Sequence, residues 1–419
     1  MKVPFSNESS SDYTPLLVDP NGKPPFSPLR NLVLPKAVLI LILGLRPRPS
    51  VKFACLTVYC LYTVYGLSMT TGDMRRDYSM GSAIMIHVAQ ALHFVYLTDA
   101  LVEYRHERDR SDPASLPILK RWWWMLCSVY SFRGVGWNYQ VANVPPHPQT
   151  PRWAFVFHRL VRAARDYLLV DLAYTYVQSN PYFMSPRPDT SPFTSQGYLF
   201  RCINILAWMT IPYCGLKMNY SLLSAACVAL GIHEPRHFPD LFGSWSDAYT
   251  LRRFWGRTWH QLLRRFLTSI GKYFVNLFCF KKGTNWSSYT QLYVAFIVSG
   301  LIHMGGDAMV GKEWLGSSFP FFIAQAFAIT FEDAVIAAAK RTVPESLRPW
   351  ALVKLFGYSW VFLWFSVSAV WCTQWTVDAG ILRAPQFSLL QTVLRAVPRT
   401  RAWNYGMQII GVNATLSSM

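Results

Sequence analysis

Between residues 289 and 310 nearly every side chain is apolar or small, and the polar exceptions that stand out are Gln291, Ser299, His303 and Asp307. A helix of that length matches the hydrocarbon core of a bilayer, which takes about 20 residues to cross. Similar runs recur. Residues 53–69, 81–102, 319–339 and 355–377 each read as a span, and 200–230 is long enough for two, with a bend near Pro212 to Lys217. The run at 32–45 is short and weakened by Pro35 and Lys36, so it either spans with its flanks or lies in the interface. Residues 154–177 are apolar at helical spacing but carry Arg159, Arg162, Arg165, Asp166 and Asp171. They form either an interfacial helix or a span whose charges face the bundle interior. The expectation is an all-α, polytopic membrane helical bundle of about seven to nine transmembrane helices with interfacial helices.

Composition supports this. The chain is 52% hydrophobic and 15% charged, where soluble domains carry roughly a quarter charged residues. Its 17 Trp, 22 Tyr and 27 Phe suit a protein with long membrane interfaces. The net charge of +18 sits in short Lys/Arg clusters between apolar runs, the pattern of cytosolic loops, so no nucleic-acid partner is expected. The eight cysteines are scattered without a CxxC pair, which indicates neither a zinc ribbon nor a disulfide framework. Residues 1–30 hold six prolines, a Ser cluster and no apolar core, and read as a disordered tail and not a secretory signal. A single domain over 31–400 and a tail at 401–419 complete the expected organisation.

Chemistry concentrates in residues 233–312. From Leu251 to Phe266 helical spacing puts Trp255 and Trp259 on one side and Arg253, Arg257, His260 and Arg264 along another, a basic ridge suited to the membrane surface. Guanidinium forks bind phosphate oxyanions bidentately, so Arg253, Arg257 and Arg264 are candidates for a phosphate-bearing cofactor. His303 lies in an apolar run, where an ionisable side chain is costly and marks a functional site by default. Burial disfavours the imidazolium, and a neutral ring can take a proton from an alcohol. Gly300, Gly305 and Gly306 leave room for a backbone or ligand, and Asp307 lies one turn on, within reach of the ring unless Gly305-Gly306 breaks the helix. His233-Glu234-Pro235-Arg236-His237 matches HExxH, but Pro235 and the following Pro239 oppose the helix that pattern needs. His87 and His93 read as helix-packing residues.

The segment FPDLFGSWSDAYTLRRFWGRTWHQLLRRF followed by SGLIH resembles the wax synthase-like branch of the membrane-bound O-acyltransferase superfamily, and RGVGWN at Arg133 to Asn138 is similar to a signature of its fungal members. The resemblance is carried by 233–312 and more loosely by 133–138. It implies a buried histidine, here His303, that catalyses acyl transfer from acyl-CoA to a hydroxyl. It also implies an upstream polar residue, asparagine in plant-type members and His260 here. Trp255, Trp259, Asn285 and Asp307 are the expected substrate-binding residues. The expected enzyme is an integral multi-pass O-acyltransferase of the endoplasmic reticulum, acting on a lipophilic terpenoid or meroterpenoid alcohol amid membrane lipids. Acetyl-CoA is the expected co-substrate, with no metal and no permanently bound cofactor. Alternatives are a wax ester or sterol ester synthase, a membrane transporter, or an intramembrane zinc hydrolase.

Overall fold

The computed structural model describes residues 22–184, 195–383 and 387–396, and helices carry most of them. The principal helices are α1 (Leu34–Leu45), α2 (Pro49–Tyr65), α3 (Met74–Leu92), α4 (Ile118–Tyr130) and α5 (Arg152–Ser179). They continue with α6 (Tyr198–Ala229), α7 (Arg264–Leu277), α8 (Asn285–Val310), α9 (Phe319–Thr342) and α10 (Trp350–Asp378). Among the described residues six helices are long and apolar enough to cross a membrane. Large apolar side chains point outward along them, including Val58, Leu61, Leu206, Phe327, Phe331 and Phe356. In water such a surface would be an aggregation liability; in lipid it is the solvated face. The chain is a polytopic all-α membrane protein.

Six helices meet that measure where seven to nine spans were expected, and three features of the helices bear on the difference. Residues 200–230 do not divide in two: α6 runs unbroken over 32 residues with Pro212 inside it. Proline removes one backbone hydrogen bond, and the long packing of α5 along α6 holds the helix through it. α1 has 12 residues, or 17 with the π turn Leu29–Val33 that runs into it, about 25 Å and at the lower limit for crossing the hydrocarbon core. α5 is long enough, but its charges keep it out of the apolar set. Of the two readings left open for it, the inward one holds for Arg159, Asp166 and Asp171, which are buried while Leu160, Val161, Leu168 and Leu172 face out.

The expected N-terminal tail also ends early. Phe26 is buried, Phe26 N donates to Thr70 O at 2.7 Å, and Lys23 Nζ reaches Met309 O at 2.8 Å, so residues 22–30 belong to the folded body. Residues 1–21 and the expected tail at 401–419 lie outside the described residues. His93 clamps the end of α3 to α7, with Nδ1 2.8 Å from Ser269 Oγ and Nε2 2.8 Å from Tyr104 OH, the packing role expected of it.

Glycine sets the central contact. Gly81 of α3 lies against Gly305 and Gly306 of α8 so closely that a methyl group at Gly81 would fall on the Gly305 carbonyl. A Cβ at Gly306 would stand 2.5 Å from the Tyr78 ring and 2.7 Å from the Tyr78 carbonyl oxygen. In lipid, where apolar side chains gain nothing by leaving the solvent, small residues let two backbones approach and gain dispersion contact instead. The room that the glycines make is filled by α3, and α8 continues unbroken past them to Val310.

Candidate active site

The α3–α8 contact brings Tyr78 onto His303. The phenolic oxygen lies 2.8 Å from His303 Nδ1, and the ring of Phe322 stacks on the imidazole with centroids 4.4 Å apart. Tyr78 OH is also 3.5 Å from Ser318 Oγ, which donates to Asp307 Oδ1 at 2.6 Å, while the Ser318 amide donates to Asp307 Oδ2 at 2.9 Å. Asp307 therefore does not bond the His303 ring. It is fully buried and reaches the imidazole only through two hydroxyls. This corrects the direct contact expected from their spacing: the carboxylate is taken by the turn that starts α9. His303 Nε2 makes no hydrogen bond among the described residues, and the ring is only part-buried.

The basic ridge is not there. A three-residue helical turn, Leu251–Arg253, widens into a π turn, Phe254–Thr258, and the chain becomes extended at Trp259 before α7 starts at Arg264. Gln261 fixes the break by donating to Trp255 O at 3.0 Å and Trp259 O at 2.6 Å. Glu332 of α9 anchors the beginning, accepting from Leu251 N at 2.6 Å, Arg252 N at 3.2 Å and Trp360 Nε1 at 3.0 Å. The three expected cofactor arginines consequently part company. Arg253 is bonded to Asp247 and stacked over Tyr249. Arg264 donates to Gly256 O and Gln261 Oε1, both at 2.7 Å. Arg257 alone is half exposed, 4.0 Å from Asp247.

His260 sits on the broken segment, packed by Phe242 and Trp259 at centroid distances of 5.6 and 5.4 Å, and its buried Nδ1 has no partner among the described residues. Burial above all, then the proximity of His303 and of the Arg133 guanidinium, pulls its pKa down to about 4. The ring is neutral at physiological pH, and the two histidines lie within each other's electrostatic reach. An aromatic wall joins them: Trp259 meets Trp255, Trp255 meets Phe321, and Phe321 meets Phe322 against His303. Trp255 Nε1 further donates to Gln325 Oε1 at 3.3 Å.

Asn285 is not part of this centre. It is the exposed first residue of α8, 18 positions or about 27 Å of helix from His303. The 133–138 cluster divides. Arg133 donates to Pro239 O at 2.9 Å, Asp240 O at 2.7 Å and Tyr220 OH at 2.6 Å, fixing the loop that presents Phe242 to His260. Asn138 bridges Arg105 N and Glu103 O in a peripheral strap. The HExxH residues form a 3₁₀ turn, Pro235–His237, with Glu234 bound to Arg108 and Arg236. That geometry does not put both imidazoles on a helix face with a free carboxylate. Among the described residues no three His, Cys, Asp or Glu side chains group as metal ligands.

Comparison with known proteins decides the family. Residues 238–324 match the membrane bound O-acyl transferase family, and 151–229 match the aspirochlorine biosynthesis protein F C-terminal domain. The chain is 34% identical to acetyltransferase ple2 of Rhodocybe pseudopiperita, over 84% of its own length and 90% of that protein. The chain belongs to the membrane-bound O-acyltransferase family. It is also 31% identical to acetyltransferase eriL of Hericium erinaceus, over 71% of this chain and 78% of that one. O-Mevalon transferase macI of Penicillium terrestre is 31% identical over 62% and 63%. No solved structure matches. As a member of this family the protein is an integral membrane O-acyltransferase.

Proposed function

We propose that this O-acyltransferase moves an acetyl group from acetyl-CoA to a hydroxyl of a lipophilic secondary metabolite of terpenoid or meroterpenoid type, in the endoplasmic reticulum membrane, with His303 as general base. The observation that carries the catalytic part is the hydrogen-bonded chain ending at Asp307. A carboxylate only accepts, so Ser318 O–H points to Asp307; the proposed tautomer has Tyr78 O–H donating to Ser318 Oγ and His303 Nδ1–H donating to Tyr78 O. In that arrangement every proton is directed towards the carboxylate. Nε2 is left with its lone pair free, the form a base requires.

In the proposed reaction His303 Nε2 takes the proton of the substrate hydroxyl, and the oxygen attacks the thioester carbonyl carbon. The tetrahedral oxyanion collapses, the carbon–sulfur bond breaks, and the thiolate of coenzyme A takes the proton back from His303. His260, neutral through this range, donates a hydrogen bond to the oxyanion, a contribution of about 3 kcal/mol for one such donor. Trp255 and Trp259 form the wall along which the acceptor lies. Acetyl transfer is supported by the names of the relatives, acetyltransferases ple2 and eriL among them; the secondary-metabolite and terpenoid class rests on the resemblance to fungal members.

The test is a membrane-fraction assay with labelled acetyl- and palmitoyl-CoA against terpenoid, sterol and fatty alcohols. Acetyl transfer to terpenoid alcohols is expected, and its loss by about 10²- to 10⁴-fold in His303→Ala. Palmitoyl transfer to fatty alcohols or sterols would replace the acceptor assignment. Full turnover by His303→Ala would remove His303 as base.

A further inference from the structure

α5, α6 and residues 240–243, Phe242 among them, line a half-open cavity of about 250 Å³. Four cations line it, Arg159, Arg162 and Arg165 from α5 and Lys217 from α6, against two carboxylates, Asp166 and Asp240. The count leaves two positive charges without a carboxylate. Their distribution is uneven. Arg159 is buried and held by Asp240 Oδ1 at 2.9 Å and Phe238 O at 2.5 Å, so it belongs to the scaffold. Lys217 and Arg165 share the fully buried Asp166, at 3.4 and 2.8 Å. Arg162 makes one bond, to the Asp240 oxygen that Arg159 already holds, at 2.6 Å. The side chains of Arg162 and Arg165 are 46% and 54% exposed, so most of their N–H groups face open space.

Resting on the acyl-CoA reading above, we propose that this cavity holds phosphate groups of the acyl-CoA donor through Arg162 and Arg165. The arginines expected from sequence to do so are bonded to the protein itself in the case of Arg253 and Arg264. In coenzyme A the thioester lies a whole pantetheine arm from the nearest phosphate, so a phosphate site has to stand off from the histidines and not on them. One aromatic layer separates the cavity from that centre: Phe242 and Tyr213 line it and also pack on His260 and Trp259 respectively, at 5.6 and 6.2 Å between centroids. A fork of five N–H donors matches phosphate oxygens bidentately, where a lysine would act as a point charge.

The shared chemistry is a phosphate-ester anion, which a phospholipid headgroup also presents, and the test separates the two. Arg162→Gln with Arg165→Gln leaves each carboxylate one cation, Arg159 on Asp240 and Lys217 on Asp166, so the fold keeps its ion pairs. In nanodiscs of phosphatidylcholine alone, the double variant is expected to raise the KM for acetyl-CoA about tenfold while KM and kcat with acetylpantetheine, which carries no nucleotide phosphate, stay as in the wild type. Binding of 3′,5′-ADP by calorimetry is expected to weaken by a similar factor and requires no turnover. Equal KM for acetyl-CoA and equal 3′,5′-ADP affinity in variant and wild type would overturn the proposal. So would a difference that emerges only when anionic phospholipid is added, which would give the cations to a headgroup. If the wild type accepts neither thioester but binds 3′,5′-ADP through these arginines, the acetyl-transfer reading fails while the phosphate site stands.

Discussion

At the scale of single residues, His303 and its partners differ in how far the sequence announces them. An imidazole in an apolar run is a one-residue signal, because the cost of putting it there asks for a reason. Tyr78 and Ser318 carry no such signal: a tyrosine near a helix start and a serine before another are ordinary, and their significance lies in contacts across 225 and 11 positions. The hydrogen-bonded chain makes its own prediction. Tyr78→Phe removes the acceptor for Nδ1–H, so the imidazole loses its preference for the productive tautomer. Losing one such bond is worth about 1 kcal/mol, or about fivefold in rate. A fall in kcat of that order is expected with little change in KM for either substrate, and unchanged kcat would show that the tautomer is fixed otherwise. His260→Asn tests the other ring. An amide donates a hydrogen bond but cannot titrate, so measurable activity with an unaltered pH profile is expected, because a ring with its pKa near 4 stays neutral through pH 5.5 to 8. A variant without activity that still binds acyl-CoA would make His260 a proton carrier.

The same contrast appears among the elements. The spans were legible because a 20-residue apolar run has one solution in lipid, and α8 and α10 lie where those runs lie. The segment from Leu251 to Phe266 was not. Its 3.6-residue pattern is that of an amphipathic helix, but backbone carbonyls at Trp255 and Trp259 accept from the Gln261 side chain instead of continuing the helical ladder. Nothing in the periodicity reveals that substitution, since a side-chain amide competes with the backbone only once the chain has turned. Glycines gave a signal with an ambiguous meaning: Gly305 and Gly306 indicated close approach, and only the fold says that α3 is what approaches. Gly306→Val would drive branched carbons into Tyr78 and Ser82. Overpacking of this kind costs about 1–3 kcal/mol, and it would displace Tyr78 from His303, so both thermal stability and turnover should fall. Gly215→Ala in α6, with nothing within 4 Å of its added carbon, should leave stability equal or raise it by about 1 kcal/mol through helix propensity. Equal effects of the two, measured by thermal unfolding in detergent, would refute the close α3–α8 contact.

For the molecule as a whole, His260 packs beside a cap of polar loops, residues 104–117, 133–150 and 231–250, and this cap is what acid should attack. His106, His233 and His237 lie in that cap, and burial is the largest influence lowering each of their pKa values. His237 is partly compensated by Glu107, and His106 by Asp109 and Glu107. His260 is lowered to about 4. In an unfolded chain each would titrate near 6.5. Between those values the unfolded state binds more protons than the folded one, so stability rises with pH through this window. The stability due to keeping these rings neutral is complete above about pH 6.5 and disappears as the pH falls through the folded-state values. The midpoint of thermal unfolding in detergent should therefore drop from pH 7.5 to 6 to 5, and His260→Asn, which has nothing to titrate, should show a shallower drop than the wild type. Protein equally stable at pH 7.5 and 5 would mean that the cap hydrates its histidines freely, and His260 would then no longer be the dry, neutral donor that acyl transfer at this site requires.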